Sequence, residues 1–244
     1  MPESIRLILV VEGPTEANFV RRILVPHLNR FGVAAVASVV GKAKAADRGL
    51  GGSGVRGGYP YADWRRDLRN ALRSNPGRNV RVSTLCDLYG LPEDFPDRAH
   101  QPGDANSSFR CARLEQAMLR DITGSSDDCG AWRMIPYIQA HEFEALVLAA
   151  SQSLRDLFDA DDQRAGLAAL QAEISGIAPE EINDSPLTSP SHRLRRLIPG
   201  YRKALDGPDA IELAGLPAVR SLCPRFDQWL SLLESLGQGD HAPA

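Results

Sequence analysis

RLILVVEGPTEANFVRRIL, residues 6–24, leads from a strand through a turn into a helix. The apolar run from Leu7 to Val11 is typical of a strand that is buried on both faces of a parallel sheet. Glu12 is the first charged residue after this run. The Gly-Pro pair that follows ends the strand, and the spacing of apolar residues predicts a helix from Thr15. Glu12 is therefore expected at the carboxyl end of a strand, the edge at which open α/β sheets bind ligands.

Glu12 also has a simpler interpretation as a helix-capping residue. A carboxylate beside the first turn of a helix interacts favourably with the helix dipole, and Glu16 adds a second negative charge to that turn. Under this interpretation both residues only stabilise the helix. The sequence leaves the two interpretations of Glu12 open.

The composition is that of an ordinary globular protein. The chain has 244 residues, of which 43% are hydrophobic and 24% charged, and this suits one large domain or one domain with a smaller appendage. The net charge of −3 gives no overall signature of nucleic-acid binding, although it leaves room for a local basic patch. The apolar runs are shorter than the roughly 18–20 residues that span a bilayer, and Glu3 stands where a signal peptide carries positive charge. A cytoplasmic protein without a membrane partner is expected.

The cysteines lack the CxxC spacing of structural zinc sites. They are Cys86, Cys111, Cys129 and Cys223. Because disulfides are rare in the cytoplasm, free buried thiols are predicted.

A glycine-rich segment follows the second predicted strand, Val33 to Val40. The position of this strand after the first helix implies parallel pairing through a right-handed crossover. The next segment, Gly41 to Pro60, carries Lys42 and Lys44 among many glycines and matches no Walker A pattern. It is either a flexible loop or a basic cradle for phosphate at the same sheet edge as Glu12.

A second acid ends the third predicted strand. VRVSTLCDLYG, Val80 to Gly90, has the pattern of a strand that ends at Asp87. If the first and third strands are neighbours, Glu12 and Asp87 lie within reach of one metal ion, and oxygen ligands of this kind suit Mg²⁺. The alternative is that Asp87 only starts the turn after the strand, a position that Asp favours.

A third group of candidates follows the fourth predicted strand, Trp132 to Gln139, in which Pro136 indicates an edge strand or a bulge. His141, Glu142 and Glu144 cluster where this strand leads into a helix, without the HExxH spacing of zinc proteases. On a helix the two glutamates diverge by about 200°, so only one of them is expected to point into the site. Glu142 is the preferred candidate. His141 is a ligand or a hydrogen-bonded turn residue.

The strand and helix pattern predicts an α/β fold, a Rossmann-like and mostly parallel sheet flanked by helices, with a mainly helical C-terminal part. Residues 1–150 are assigned to the α/β core and residues 151–244 to a helical extension packed on it. The extension contains the densest cationic cluster of the chain, with Arg193, Arg202 and Lys203 near a tyrosine. Such a cluster suits contact with phosphates and bases, or it is simply a solvated charged face.

Five blocks of the sequence resemble one bacterial family, which is catalogued as domain of unknown function 4276. The blocks are VEGPTEANFVRRILVPHL, TLCDLYGLPEDFP, YIQAHEFEAL, NDSPLTSPSHRLRRLIPGYRK and RSLCPRFDQWL. That family is considered similar to the Toprim fold of topoisomerases, primases and the overcoming-lysogenization-defect nucleases, and its members are often encoded near ATPases of phage-defence systems. The resemblance implies a Toprim-like domain in which Glu12 matches the motif glutamate and Asp87 the first aspartate of the DxD motif. Tyr89 replaces the second aspartate, so a metal would draw further ligands from Glu142, Glu144 or a substrate phosphate.

The residues and the resemblance together predict a metal-dependent phosphodiesterase, a Toprim-like nuclease that acts on DNA or RNA. Mg²⁺ or Mn²⁺ is the expected cofactor. The expected catalytic and metal-binding residues are Glu12, Asp87 and Glu142, with Glu144 as a further candidate ligand. The residues expected to bind phosphate are Lys42, Lys44, Arg193, Arg202 and Lys203. A separately encoded ATPase is an expected partner.

Two other functions fit the sequence. The first is a non-catalytic module that binds nucleic acid or nucleotide and serves as the partner of an ATPase. The absence of the second DxD acid favours this function. The second is a hydrolase or transferase of a small phosphorylated substrate, with the glycine-rich segment around the phosphate. If the protein is a non-catalytic module, it should form a tight complex without any hydrolysis.

Overall fold

The computed structural model covers most of the chain. The residues it describes are 4–41, 59–99, 106–124, 130–182 and 188–238. Lys42, Lys44 and most of the glycine-rich segment lie outside these residues, so the phosphate contacts predicted for them stay predictions.

A parallel β-sheet forms the centre of the described chain. Its strands are β1 (Ile5–Val11), β2 (Val33–Val39), β3 (Val80–Asp87), β4 (Met134–Ile135) and β5 (Ile138–Gln139). The strand order is β2-β1-β3-β4, with β5 pairing with β3 further along, and these pairings are all parallel. The predicted α/β class with its parallel sheet is confirmed.

The register of β1 and β3 brings the two predicted acids to one edge. Val11, the last residue of β1, lies opposite Leu85. Glu12 therefore leaves the sheet beside the last residues of β3, of which Asp87 is the final one. The condition set by the sequence, that the first and third strands be neighbours, is met.

Pro136 divides the fourth predicted strand into two. β4 and β5 each contain two residues, and both pair with β3. Proline has no backbone N–H to donate to the sheet, so it interrupts the pairing between the two short strands. The predicted edge strand is present in this interrupted form.

Helices cover both faces of the sheet and dominate the C-terminal part. The α-helices are α1 (Pro14–Phe19), α2 (Val25–Asn29), α3 (Tyr61–Arg73), α4 (Ser107–Thr123), α5 (Glu144–Ala149), α6 (Asp161–Ile174), α7 (Pro190–Leu197), α8 (Lys203–Ala214), α9 (Leu216–Leu222) and α10 (Pro224–Ser235). A π-helical turn, Val20–Leu24, joins α1 to α2. Short 3₁₀ turns cover Ala131–Arg133, Ser151–Asp156, Pro179–Glu181 and Leu236–Gln238. Within the described ranges, no helix combines the length and the apolar character needed to cross a membrane.

Two separate helices, α9 and α10, follow each other near the end of the described chain. α9 ends at Leu222 and α10 begins at Pro224, so the break falls at Cys223. Proline fixes its own backbone and cannot donate a helical hydrogen bond, which makes it a common first residue of a new helix.

The two faces of the sheet have separate hydrophobic cores. On one face α1, α2 and the C-terminal helices pack together, and Phe19 contacts Phe143 and Phe226 with ring centroids 5.3 and 6.0 Å apart. On the other face α3 and α4 contribute Trp64 and Met118. The sheet is thus enclosed between two helical layers, as its buried parallel strands require.

Trp229 joins the C-terminal helices to the sheet. Its ring stacks on Tyr137 with centroids 4.4 Å apart, and its Nε1 donates a hydrogen bond to Ser83 Oγ of β3 at 3.0 Å. The ring is 5% exposed. The helical C-terminal part therefore shares its hydrophobic core with the α/β part.

We predict that Trp229→Phe lowers the free energy of unfolding by roughly 1–3 kcal/mol, because it removes the hydrogen bond to Ser83 and part of the packed ring. Urea denaturation measures the change. Leu232→Ala, on the solvent side of the same helix, is the control and should change stability by less than about 0.5 kcal/mol. Equal effects of the two variants would contradict the shared core.

Candidate functional site

Glu12 and Asp87 form the centre of the site, at the carboxyl ends of adjacent strands. Glu12 Oε2 accepts a hydrogen bond from the backbone N–H of Asp87 at 3.4 Å. Gly90 lies directly against the Glu12 carboxylate, since a Cβ placed on Gly90 would stand 2.6 Å from Glu12 Oε2. A glycine at this position is what allows the turn after β3 to approach Glu12 so closely.

Asp87 is held on both of its oxygens. Oδ1 accepts a hydrogen bond from the backbone N–H of Phe143 at 2.8 Å, and Oδ2 lies 3.5 Å from Lys203 Nζ. The carboxyl group is almost completely buried. The interpretation of Asp87 as a residue that merely starts a turn does not account for these contacts.

Lys203 brings the C-terminal part into the site. It is the first residue of α8, and its Nζ lies 2.9 Å from Glu144 Oε2 as well as within ion-pair distance of Asp87. Burial lowers the pKa of Lys203, but the charges of Asp87, Glu144 and Glu16 outweigh burial, so the pKa lies above its usual value. The ammonium group is therefore a fixed positive charge among carboxylates.

Glu16 belongs to the same acidic cluster, which the sequence interpretation did not foresee. It is 4% exposed in the first turn of α1. Burial, followed by the charge of Asp87, raises the pKa of Glu16 to about 8. The signal available in the sequence was its position, because Glu16 lies in the first turn of the helix that begins just after Glu12 at the sheet edge.

The pKa values of the other acids are raised as well. Burial, followed by the charge of Asp87, raises the pKa of Glu12 to about 7, and burial raises the pKa of Asp87. Burial also raises the pKa of Glu144 to about 7, although Lys203 opposes that shift. The physical cause is common to all: several carboxylates lie close together away from water, with Lys203 as their cationic neighbour.

Glu142 and Glu144 make different contacts around the acidic cluster. The helix α5 begins at Glu144, so Glu142 precedes it and the angular rule for helical residues does not apply. Glu144 is buried against Lys203, whereas Glu142 Oε2 accepts a hydrogen bond from the backbone N–H of Ser191 at 2.9 Å. Glu142 also lines a cleft of about 410 Å³ together with Glu12, Asp87 and Lys203.

His141 has a strained backbone, two residues after the end of β5. Its φ of 61° lies in the left-handed region, which costs a non-glycine residue about 1 kcal/mol or more. The His141 carbonyl accepts a hydrogen bond from the N–H of Tyr89, and the His141 ring nitrogen Nδ1 lies 2.9 Å from Tyr89 Oη. Tyr89 is thus bound to the turn that carries Glu142.

The two arginines that were predicted to bind phosphate, Arg193 and Arg202, contact other residues of the protein. Arg193 forms an ion pair with Glu173 at 2.9 Å and donates to the carbonyl of Thr188. Arg202 forms an ion pair with Asp206 at 2.7 Å. Their role in phosphate binding stays a prediction. Of the predicted cationic residues that the structure describes, Lys203 is the one that contacts the acidic cluster.

A second, larger cavity of about 760 Å³ adjoins the cleft and is rich in arginine. Tyr89, Leu91 and Glu142 line both spaces. The arginines around the larger cavity are Arg98, Arg110, Arg113, Arg195 and Arg196. The acidic cleft and the arginine-rich cavity therefore meet at the wall formed by Tyr89, Leu91 and Glu142.

The described residues contain no group of three or more His, Cys, Asp or Glu side chains arranged to hold a metal ion. Glu142 is engaged with Ser191, and Glu144 with Lys203. Glu12 and Asp87 line the cleft from the ends of two adjacent strands, and neither is engaged in this way by the C-terminal backbone.

Comparison with known proteins relates the chain to two solved structures and to one family. A search of curated proteins finds no match. The C-terminal region of the OLD protein of Xanthomonas campestris pv. campestris, solved once with iodine phasing and once with mercury phasing, is 16% and 17% identical to this chain with TM-scores of 0.37 and 0.38; each match covers 93% of this chain and 97% of the other. The model of the family described as domain of unknown function (DUF4276) matches residues 11–234, and the chain therefore belongs to this family.

Proposed function

We propose that the protein is a phosphodiesterase that uses Mg²⁺ or Mn²⁺ to cleave DNA or RNA in the cytoplasm. The observation that carries the proposal is the pairing of Glu12 and Asp87 at the ends of adjacent strands, in a cleft that opens beside an arginine-rich cavity. Carboxylates suit a hard divalent cation, and arginines suit the phosphates of a polyanionic substrate.

Glu12 and Asp87 fit the way in which proteins hold Mg²⁺. This ion commonly uses only one or two carboxylates and completes its shell with water and substrate phosphates. A third protein ligand is therefore not required, which agrees with the engagement of Glu142 and Glu144 elsewhere. The raised pKa values of the acids also favour cation binding, because a cation relieves the repulsion among buried carboxylates.

Each residue of the cleft has a distinct part in the proposed reaction. Glu12 and Asp87 would hold the divalent ion, which would lower the pKa of water and offset negative charge on the phosphoryl group. Glu142, in the wall of the cleft, accepts the proton of the attacking water. Lys203 supplies a fixed positive charge beside Asp87 and stabilises negative charge on the phosphate as it develops.

A non-catalytic role is the second candidate, and the side chain of Tyr89 favours it. Tyr89 replaces an acid by a phenol that lies 2.9 Å from the His141 ring. In that case the cleft binds nucleic acid or nucleotide without hydrolysis, as part of a phage-defence complex with a separately encoded ATPase. The nuclease proposal is compatible with the same partner.

We predict that Mn²⁺ binds the wild-type protein and that Glu12→Gln and Asp87→Asn each weaken binding about tenfold or more, because each removes a charged ligand. Isothermal titration calorimetry measures binding without any substrate. Glu93→Gln is the matched control, since Glu93 is an exposed acid on the rim of the same cleft. Cleavage of single-stranded DNA and RNA with Mn²⁺ should follow the same order.

Two results distinguish the candidate functions. Metal-dependent cleavage that survives Glu12→Gln undiminished would overturn the assignment of Glu12. Tight binding of nucleic acid without cleavage, in the presence of Mn²⁺ and the ATPase, would establish the non-catalytic role instead.

Gly90→Ala is predicted to abolish most metal-dependent cleavage while leaving the fold intact. The new methyl group would stand within 3 Å of both Glu12 carboxylate oxygens, and the flexible end of that side chain must move away. We expect a loss of about a hundredfold in activity, since small displacements of catalytic groups have effects of this size. An unchanged circular dichroism melting curve would exclude unfolding, and unchanged activity would contradict the position of Glu12.

The metal-free protein is predicted to become less stable as pH rises. Glu16 has a pKa of about 8 when folded and 4.5 as a free group, so the unfolded chain releases this proton first. Protonated Glu16 therefore stabilises the fold most below about pH 4.5. Its contribution to the free energy of unfolding, roughly 3–5 kcal/mol, is lost as the pH rises to about 8.

Glu16→Gln should flatten this dependence because glutamine does not titrate. Thermal unfolding with a chelator present, from about pH 5 to pH 8, measures the slope for both proteins. Glu93→Gln again serves as control and should keep the wild-type slope. A wild-type slope in Glu16→Gln would show that Glu16 is charged throughout this pH range.

A further inference from the structure

We propose that the arginine-rich cavity binds one nucleotide of a single-stranded nucleic acid, next to the phosphate that enters the carboxylate cleft. This inference rests on the proposed function for the identity of the substrate, but its evidence is separate. It concerns the cavity of about 760 Å³ between the loop after β3, α4 and α7. Cavities of this size are typical of small-molecule sites.

The charge of the cavity suits phosphate. Two of its arginines are neutralised, Arg113 by Asp97 at 2.6 Å and Arg196 by Glu173 at 2.6 Å. Arg98 instead donates a hydrogen bond to the carbonyl of Pro92 at 3.3 Å. Because this carbonyl is neutral, the bond leaves the charge of Arg98 in place. Arg195 is exposed on α7, and among the described residues no carboxylate lies within ion-pair distance of it. The cavity therefore keeps a net positive charge, because Arg98 and Arg195 outnumber Glu142, the carboxylate that lines it.

The inner wall of the cavity suits a nucleobase. Leu88, Leu91 and Leu114 form an apolar surface, and Tyr89 adds an aromatic ring. Bases stack on aromatic side chains without regard to sequence, and a leucine surface removes their faces from water. A cationic rim around an apolar wall is the combination that a nucleotide requires.

The cavity and the cleft are continuous along one wall. Tyr89, Leu91 and Glu142 face both spaces, so a nucleotide in the cavity has its neighbouring phosphate close to Glu12 and Asp87. In a duplex the bases are paired and stacked, and one base can enter such a cavity only after costly unstacking. The geometry therefore favours a single strand.

The test is the binding of a fluorescein-labelled oligothymidylate of about ten nucleotides, measured by fluorescence anisotropy with a chelator present. We expect Arg195→Glu to weaken binding by about tenfold or more and to lower the salt dependence by about one ion. Arg164→Glu, an exposed arginine on α6 away from the cavity, is the matched control and should bind like the wild type. Arg195→Ala provides a second variant that does not introduce a negative charge.

Two further probes test the base and the single strand. An oligonucleotide of the same length with abasic residues should bind about fivefold more weakly or worse, since base stacking is lost. The blunt duplex of the same sequence should also bind more weakly. Duplex binding as tight as that of the single strand, with the same loss in Arg195→Glu, would overturn the single-strand assignment.

The outcomes separate this inference from the proposed function. Absence of binding in the wild type, or equal binding by Arg195→Glu and Arg164→Glu, would overturn the cavity as a nucleotide site. If Arg195→Glu weakens binding but no preparation cleaves nucleic acid with Mn²⁺, the cavity assignment stands and the nuclease assignment fails.

Discussion

The crowding of buried carboxylates around one lysine is the constraint on which the site depends. Parallel pairing of β1 with β3 brings Glu12 and Asp87 together, and the helices that follow add Glu16 and Glu144. An isolated buried carboxylate is very costly, so such a cluster needs protons or cations. Lys203 provides one positive charge. Burial is the main cause of the raised pKa values, and the repulsion that Lys203 leaves uncompensated adds to it.

The same constraint explains why the C-terminal part is packed so closely on the α/β part. Lys203 begins α8 and reaches across to Asp87 and Glu144, while Trp229 binds Ser83 within the sheet. Lys203 balances part of the negative charge of the site, and Trp229 holds the C-terminal helices against the sheet. The boundary predicted at residue 150 separates two patterns of secondary structure, but both the core and the site extend across it.

Most of the fold could be predicted from the sequence, because the signals were local. The apolar run of β1, the acid at its end and the amphipathic helices are properties of short segments. The contact between Glu12 and Asp87 followed from one assumption about strand order. The places that needed the structure are those where distant segments meet, as in the burial of Glu16 and the ion pairs of Arg193 and Arg202. A cluster of arginines in the sequence does not reveal which acids lie opposite it in space.

The position of Lys203 late in the chain has a consequence for protein synthesis. A ribosome produces Glu12 and Asp87 early and Lys203 much later. The acids of the sheet edge are therefore made before the lysine that balances part of their charge. Because α8 also belongs to the core that is shared with the sheet, the cleft is complete only when α8 has docked. In the cell, a chain cut short before α8 would carry the acids but not the balanced site.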